Sequence, residues 1–502
     1  YTKTGGYWTG INAATMALIL GRESVAAGLA QQVRTQCLQA LKDVSGGDRY
    51  WPLATLGEAG LILRQWSEAE MWYAQAAQLG KGRYGDLSST RRNLRLLVEH
   101  LDIDGSSYEQ SFQIPKILVF TGHMIDHPNR SVPRFPSHLE PAVQRAIEQR
   151  LEKLGANVGY ASAACGGDII FHEALLKRRG EIHIVLPFEQ ESFVKESIDF
   201  LSDRNWVQRF ADLSHKAAEV VLASEGRFRG GGGISFEYAN QILSGLACIR
   251  ADQLETDAVL VALWDGKSGD GPGGTASMIK NWQALGKQTE IIDLAEILHS
   301  VSPDLARRES DFAEPSSPAT VSEVEGTSIR SLLFADLVNF TDLGEAEIPT
   351  FVEHFLGGVA RLIKTGSYSP EARNTWGDGL YFAFRDTREA GLFALDLRDF
   401  VRKTDWVAKG LPKALSIRIG LHVGPVHGFV DPITEKYTYF GGHVARTARI
   451  EPITPPGKVY ASQAFAGLAT ASGVDGFKCE YVGQTPLAKG FGVFPAYHVR
   501  RT

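Results

Sequence analysis

The stretch RNTWGDGLYFAF, Arg373 to Phe384, sets an acid, Asp378, between two glycines and ahead of an apolar run. Asp-Gly between apolar segments is a hairpin signal, because both residue types tolerate positive φ. Read alone, it is a turn between two strands. Reading outward gives that turn its setting. Upstream, LLFADLVNF is an apolar strand broken by one acid, Asp336, and EIPTFVEHFLGGVARLIKTG is a helix. Downstream, TREAGLFALDLRDFVRKT is a helix and ALSIRIGLHVGPVHGFV a strand. Strand, helix, hairpin, helix, strand is a ferredoxin-like βαββαβ plan, an α+β arrangement.

In that plan the first strand and the hairpin can be neighbours, which brings Asp336 and Asp378 together. Two close carboxylates repel unless a cation joins them. A few hard oxygen ligands suit Mg2+ or Mn2+, with phosphate completing the shell. Two such ions stabilise the attacking and leaving oxygens of a phosphoryl transfer.

Five motifs in order, FADLVNFT, WGDGLYFAF, IRIGLHVGPVHG, YFGGHVARTARI and LAKGF, resemble the class III adenylyl/guanylyl cyclase catalytic domain over residues 328–502. The resemblance implies an NTP substrate, two Mg2+ or Mn2+ ions and a head-to-tail homodimer with sites at the interface. By position it implies that Asp336 and Asp378, with the carbonyl of Leu337, hold metal. Arg418 would contact phosphate, Lys489 would hold the triphosphate, and Arg449 would face the transition state from the other protomer. Each cation would then face charge developing on phosphate oxygens.

Three positions depart from the family pattern. Asn374 stands where a base-selecting lysine is common, and Thr438 where its partner is often acidic. Both side chains donate and accept hydrogen bonds, so ATP, GTP, UTP and CTP all stay open. Ala445 replaces an asparagine that holds the ribose, with His443 and Arg446 the polar neighbours that would stand in for it.

Residues 113–299 alternate strand and helix. KILVFTGH, ANVGYASAACGGD, EIHIVLPF, AAEVVLAS, TDAVLVALWDG and KQTEIIDL read as strands, with helical stretches between. Such alternation predicts a parallel sheet covered on both faces, with ligands beyond the strand C-termini. Three loops suit phosphate: Thr121-Gly122-His123, then Gly166-Gly167-Asp168, then GDGPGGTAS with Gly273, Gly274 and Thr275. GYASAACGGDIIFHEAL and GPGGT resemble the Rossmann-like SLOG superfamily, which implies a nucleotide-derived ligand. Asp168, His172 and Glu173 are the titratable groups nearby and form no evident nucleophile–base pair; RFRGGGGISFEY reads as a flexible loop.

Residues 1–108 read as successive helices. Trp66, Ala69, Tyr73 and Ala74 have the small-and-aromatic spacing of a tetratricopeptide helix pair, and Trp8, Trp51, Trp66 and Trp72 read as core. YWTGINAATMALILG and YWPLATLGEAGLIL resemble the tetratricopeptide-like central region of the apoptosis-signalling MAP kinase kinase kinases. That implies a regulatory region with a protein partner, not a kinase. Residues 300–327 are polar and Pro/Ser-rich, a linker.

A net charge of −6 with 22% charged residues gives no reason to expect nucleic acid as a partner. No apolar run approaches a bilayer span, so no membrane is expected, and YTKTGGYWTG lacks a signal-peptide pattern. Cys37, Cys165, Cys248 and Cys479 are far apart, which fits a reducing cytoplasm. The absence of an initiator Met suggests sequence upstream of Tyr1. The expected protein is a multidomain nucleotidyl cyclase, a lyase under the control of a ligand-sensing domain, of the kind found in bacterial signalling or defence. The alternative is a weak or inactive cyclase fold that serves as a nucleotide-binding dimerisation switch.

Overall fold

A computed structural model describes residues 6–128, 130–201, 205–228, 233–268, 271–305, 326–490 and 492–502, with Lys489 described by its backbone only. Most of the expected linker and the start of GDGPGGTAS lie outside the described residues, as does the centre of RFRGGGG. The chain forms two compact units, Tyr1–Pro115 with Ala251–Thr256, and Lys116–Arg250 with Asp257–Thr502.

The first unit is helical: Tyr7–Ile19, Glu23–Asp43, Tyr50–Ile62, Trp66–Leu79, Tyr84–Leu101 and the short Ser106–Ser111. Helix Tyr50–Ile62 is apolar around nearly its whole circumference and is buried accordingly. Two of the tryptophans depart from the expected core role. Trp8 is 48% and Trp66 37% exposed, whereas Ala69, Tyr73, Ala76 and Ala77 form the buried face of their helix. Trp8 packs edge-on against Trp51 rather than inside the core.

The second unit holds two sheets. The first has strands β1 (Ile117–Gly122), β2 (Val158–Ala161), β3 (Glu181–Leu186), β4 (Glu219–Leu222), β5 (Ala258–Trp264) and β6 (Thr289–Asp293). Their order is β4-β3-β2-β1-β5-β6, parallel throughout. Strand order reverses between β1 and β5, the position where such sheets open a crevice.

The second sheet contains β7 (Thr327–Val338), β8 (Ala372–Trp376), β9 (Gly379–Phe384), β10 (Ser416–Val430), β11 (Tyr437–Phe440), β12 (Val459–Ser462), β13 (Phe477–Pro486) and β14 (Val493–Arg501). Its order is β13-β14-β12-β10-β7-β9-β8, with β11 paired to β10. The segment β8-β9-β7-β10 is the antiparallel ferredoxin-like order. Alternation along β7 sends Leu333, Ala335 and Leu337 into the core against helix Thr387–Lys403, while Leu332 and Phe334 pack on the opposite face. That opposite face carries Asp336. The preceding helix runs from Ile348 to Thr365 with one π turn, Val352–Leu356, inside it.

Candidate active site

The hairpin closes through Trp376 opposite Gly379, so its two turn residues are Gly377 and Asp378. The positive φ, 64°, falls on Gly377. The sequence pointed to Asp-Gly; the conformational burden instead rests on the glycine before Asp378, as a two-residue turn with glycine first requires. Asp378 is thereby left at the tip, next to the end of β7. Pairing of Ala335 with Leu380 sets Asp336 beside it.

The two carboxylates meet. Burial raises the Asp378 carboxyl above the usual range, and the charge of Asp336 raises it further. Arg418, opposite Asp336 in the β7–β10 register, donates from Nη2 to Asp336 Oδ2 at 2.7 Å. Its Nε forms an ion pair with Glu451 Oε1 at 2.9 Å. Burial pushes Glu451 up to about 7; Arg418 opposes this, while Asp336 and Asp378 add to it.

Sequence reading missed Glu451. The only signal was its position two residues after Arg449, at the end of helix Gly442–Ile450. Gly420 brings it in: a Cβ there would lie 2.7 Å from Glu451 N, so the helix end rests directly on β10.

Among the described residues, no three His, Cys, Asp or Glu side chains gather as a metal cage. The donor chemistry nevertheless fits a hard divalent ion. Asp336 and Asp378 offer adjacent carboxylates whose repulsion such an ion would relieve. Leu337 is 2% exposed, with its side chain in the core, so only its carbonyl is available as a donor.

Other expected residues are more scattered. Arg449 is half-buried on helix Gly442–Ile450 and makes no hydrogen bond or ion pair to the described residues. Ala445 is exposed on the same helix. His443 is buried and bonded to His422, so it does not stand in for the missing asparagine; Arg446 pairs with Glu225 at 3.1 Å. The side chain of Lys489 lies outside the described residues, and its backbone falls in the turn Ala488–Gly490. Asn374, on β8, accepts from Thr375 N–H at 2.9 Å. Thr438 lies opposite Phe429 on β11, and no hydrogen bond joins it to Asn374. Beside the aspartates, Trp376 is 57% exposed and lies nearly parallel to Phe334, with ring centroids 6.4 Å apart.

The three glycine-bearing loops of the parallel sheet do converge. Gly167 N–H donates to His123 O at 3.1 Å, and Thr121 Oγ1 lies 3.5 Å from Thr275 Oγ1. Gly166 has φ of 124°, and a Cβ there would meet Ile125 N at 2.7 Å, so no other residue fits this crossing. Gly274 is the N-cap of helix Thr275–Ala284, and Gly273 precedes it. His123 Nε2 lies 3.0 Å from Asp265 Oδ1, an acid after β5 that the sequence reading did not single out. Burial works to raise Asp265, but the His123 bond and the Lys267 N–H outweigh it and hold the carboxyl below the usual range. Asp168 is buried and pushed up to about 7 by that burial; it accepts from Ala164 N–H at 3.3 Å.

Residues 323–499 match the family model described as the adenylate and guanylate cyclase catalytic domain. A search of curated proteins gave no match. Among solved structures, the guanylate cyclase domain of RhGC from Catenaria anguillulae, in complex with GTP, is 19% identical, with 34% of this chain and 96% of that chain covered and a TM-score of 0.30. The adenylyl cyclase CyaB from P. aeruginosa is 18% identical, with 35% and 95% covered and a TM-score of 0.31. The guanylyl cyclase Cya2 is 22% identical, with 35% and 93% covered and a TM-score of 0.30. The C-terminal segment, residues 323–499, therefore belongs to the adenylate and guanylate cyclase catalytic domain family.

Proposed function

We propose that the chain is a nucleotidyl cyclase that converts an NTP to a 3′,5′-cyclic mononucleotide and pyrophosphate. The ribose 3′-oxygen forms the new bond to the α-phosphorus, and the bond from that phosphorus to pyrophosphate breaks. The observation that carries the reading is the juxtaposition of Asp336, Asp378 and Arg418 on one sheet face. Asp336, Asp378 and the Leu337 carbonyl would hold two Mg2+ or Mn2+ ions, which supply Lewis acidity at the phosphate oxygens. Arg418, already poised at Asp336, shifts its guanidinium to the phosphates; Lys489 grips the triphosphate, and Arg449 neutralises the charge that develops. Arg449 and Lys489 act across a head-to-tail homodimer. Asn374 and Thr438 read the base edge, and the exposed ring of Trp376 offers a stacking face.

The parallel-sheet region serves as a SLOG-like sensor for a nucleotide-derived ligand. Its site is the crevice of Thr121, Gly122, His123, Gly166, Gly167, Asp168, Gly273, Gly274 and Thr275. The tetratricopeptide-like helices offer a protein-contact surface, and the whole fits bacterial signalling or defence. Incubation of the protein with each of the four NTPs and Mn2+, with products resolved by chromatography, tests the reading. Absence of any cyclic product at dimer-forming concentrations sinks it.

Ala445 favours a second reading, a slow or inactive cyclase fold that acts as a nucleotide-controlled dimer switch. Metal-dependent NTP binding without turnover supports it; turnover that disappears in Asp378→Ala excludes it.

A further inference from the structure

Helix Gly442–Ile450 carries Arg449, and its first turn is built into a buried hydrogen-bonded line. His443 is 5% and His422 1% exposed. Gly424 of β10 makes room for the first ring, since a Cβ there would lie 2.2 Å from His443 Nδ1. His443 Nδ1 is 2.9 Å from His422 Nε2, and His422 Nδ1 is 2.7 Å from Ser462 Oγ. At the other end, His443 Nε2 is 3.2 Å from Ser224 Oγ, in the loop that follows β4 of the parallel sheet.

The line closes in either of two senses. Ser462 Oγ accepts from Phe465 N–H as the cap of its helix and still has one proton to give and one lone pair to take, so it can serve His422 Nδ1 either way. In one sense His422 Nε2–H donates to His443 Nδ1 and His443 Nε2–H to Ser224 Oγ; in the other, Ser224 donates to His443 Nε2, His443 Nδ1–H to His422 Nε2 and His422 Nδ1–H to Ser462 Oγ. One proton per ring completes the line in either sense. Burial, with His443 and the Arg446 guanidinium close by, holds His422 well below the usual histidine range, and burial with Arg446 lowers His443 to about 3. The line is therefore neutral and, in each sense, polarised along its length.

Two further contacts run alongside. Glu225 pairs with Arg446 at 3.1 Å, and Tyr238 donates to the Val423 carbonyl at 2.8 Å. Because the six strands of the first sheet are parallel, Ser224 follows β4 at the same sheet edge where Thr121 lies near the end of β1 and His123 follows it.

We propose that the line Ser224–His443–His422–Ser462 is the positioning link by which the parallel-sheet region holds the helix that bears Arg449; it rests on the cyclase reading, in which Arg449 faces the transition state. His443 and His422 are positioning residues, and Ser224 is the point where the sensor region enters the line.

The test uses the full chain with Ser224→Ala and Ser224→Thr. An open pocket bordered by Ser224, Gly226 and Gly442 leaves room for the added methyl. Ser224→Ala is expected to lower kcat about five- to tenfold with KM within about twofold, because one partner of a buried bond is lost. It is also expected to speed amide exchange across residues 442–450, and Ser224→Thr, which keeps the hydroxyl, restores both. A kcat that is unchanged or raised, or exchange at 442–450 like that of the wild type, overturns the link. If the wild type makes no cyclic product from any NTP, the cyclase reading fails, and the exchange comparison alone then decides whether the line holds the helix.

Discussion

Two acidic clusters of the cyclase domain make opposite electrostatic choices. Asp399 pairs with Arg398 at 2.6 Å, with Arg402 and Arg501 at 3.3 Å each, and with Lys403 at 4.0 Å. Burial works to raise its carboxyl, yet the Arg398 bond and the other cations hold it below the usual range. At the other cluster, Asp336 and Glu451 share one guanidinium, that of Arg418, with Asp378 beside Asp336, and the carboxyls of Asp378 and Glu451 are raised. A cluster with surplus cations is complete in itself. One with surplus carboxylates is short of positive charge, a shortage that the proposed metal ions would relieve.

The strongest way to break this contrast is Asp378→Ala. Cyclic product formation should fall at least about 10²-fold, as when a key charge-stabilising group is removed. The thermal midpoint should hold or rise, because a like-charge contact disappears. A clear fall in midpoint would mean that Asp378 is structural after all.

Glu58 asks whether a raised carboxyl alone signals function. It is buried in the helical unit, with Asn93 Nδ2 donating to it at 3.3 Å, and burial pushes it up to about 7. Its folded pKa lies above the unfolded value, so the folded state binds the extra proton. Stability should be greatest below about pH 4.3 as far as this group is concerned, and be lost as pH rises through about 7, by ~3–4 kcal/mol. Exchange protection of helix Tyr50–Ile62 across that window checks this; Glu58→Gln should flatten the profile and leave turnover unchanged.

Trp376→Ala sharpens the reading of the exposed ring. Loss of one stacking face should raise KM for the NTP about tenfold with a smaller effect on kcat. Equal falls in kcat and kcat/KM would place the ring's role elsewhere. The smallest effect is expected at the satisfied cluster. Arg398→Ala should cost about 1 kcal/mol in chemical denaturation, since Arg402 and Arg501 remain at Asp399, and should not alter product formation.

The contrast also explains what could be read from the chain. The βαββαβ order, the parallel sheet and the helical region follow from local periodicity, and the Asp336–Asp378 meeting follows from strand adjacency. Glu451 was hidden because it reaches the cluster only through helix-on-strand packing at Gly420, which no local pattern encodes. His443 looked like a polar neighbour of the site because its burial depends on a glycine in another strand, Gly424. Trp8 and Trp66 read as core by residue type, yet position on their helices left them largely at the surface. Asp265 sits in an ordinary strand-end turn and becomes noticeable only once β1 and β5 are side by side.

One feature of β10 acts as a ruler. Gly420 admits the backbone at Glu451, and Gly424 admits the ring of His443, so the two notches receive opposite ends of one helix. Along a strand the notches are about 13 Å apart; along a helix, His443 to Glu451 is about 12 Å. The lengths agree only for this number of residues. A one-residue insertion or deletion between them would push one end out of its notch and turn Arg449 by about 100° around the helix axis. The spacing of two glycines in a strand thus gauges the helix that lies across them, fixing its length and rotational phase together.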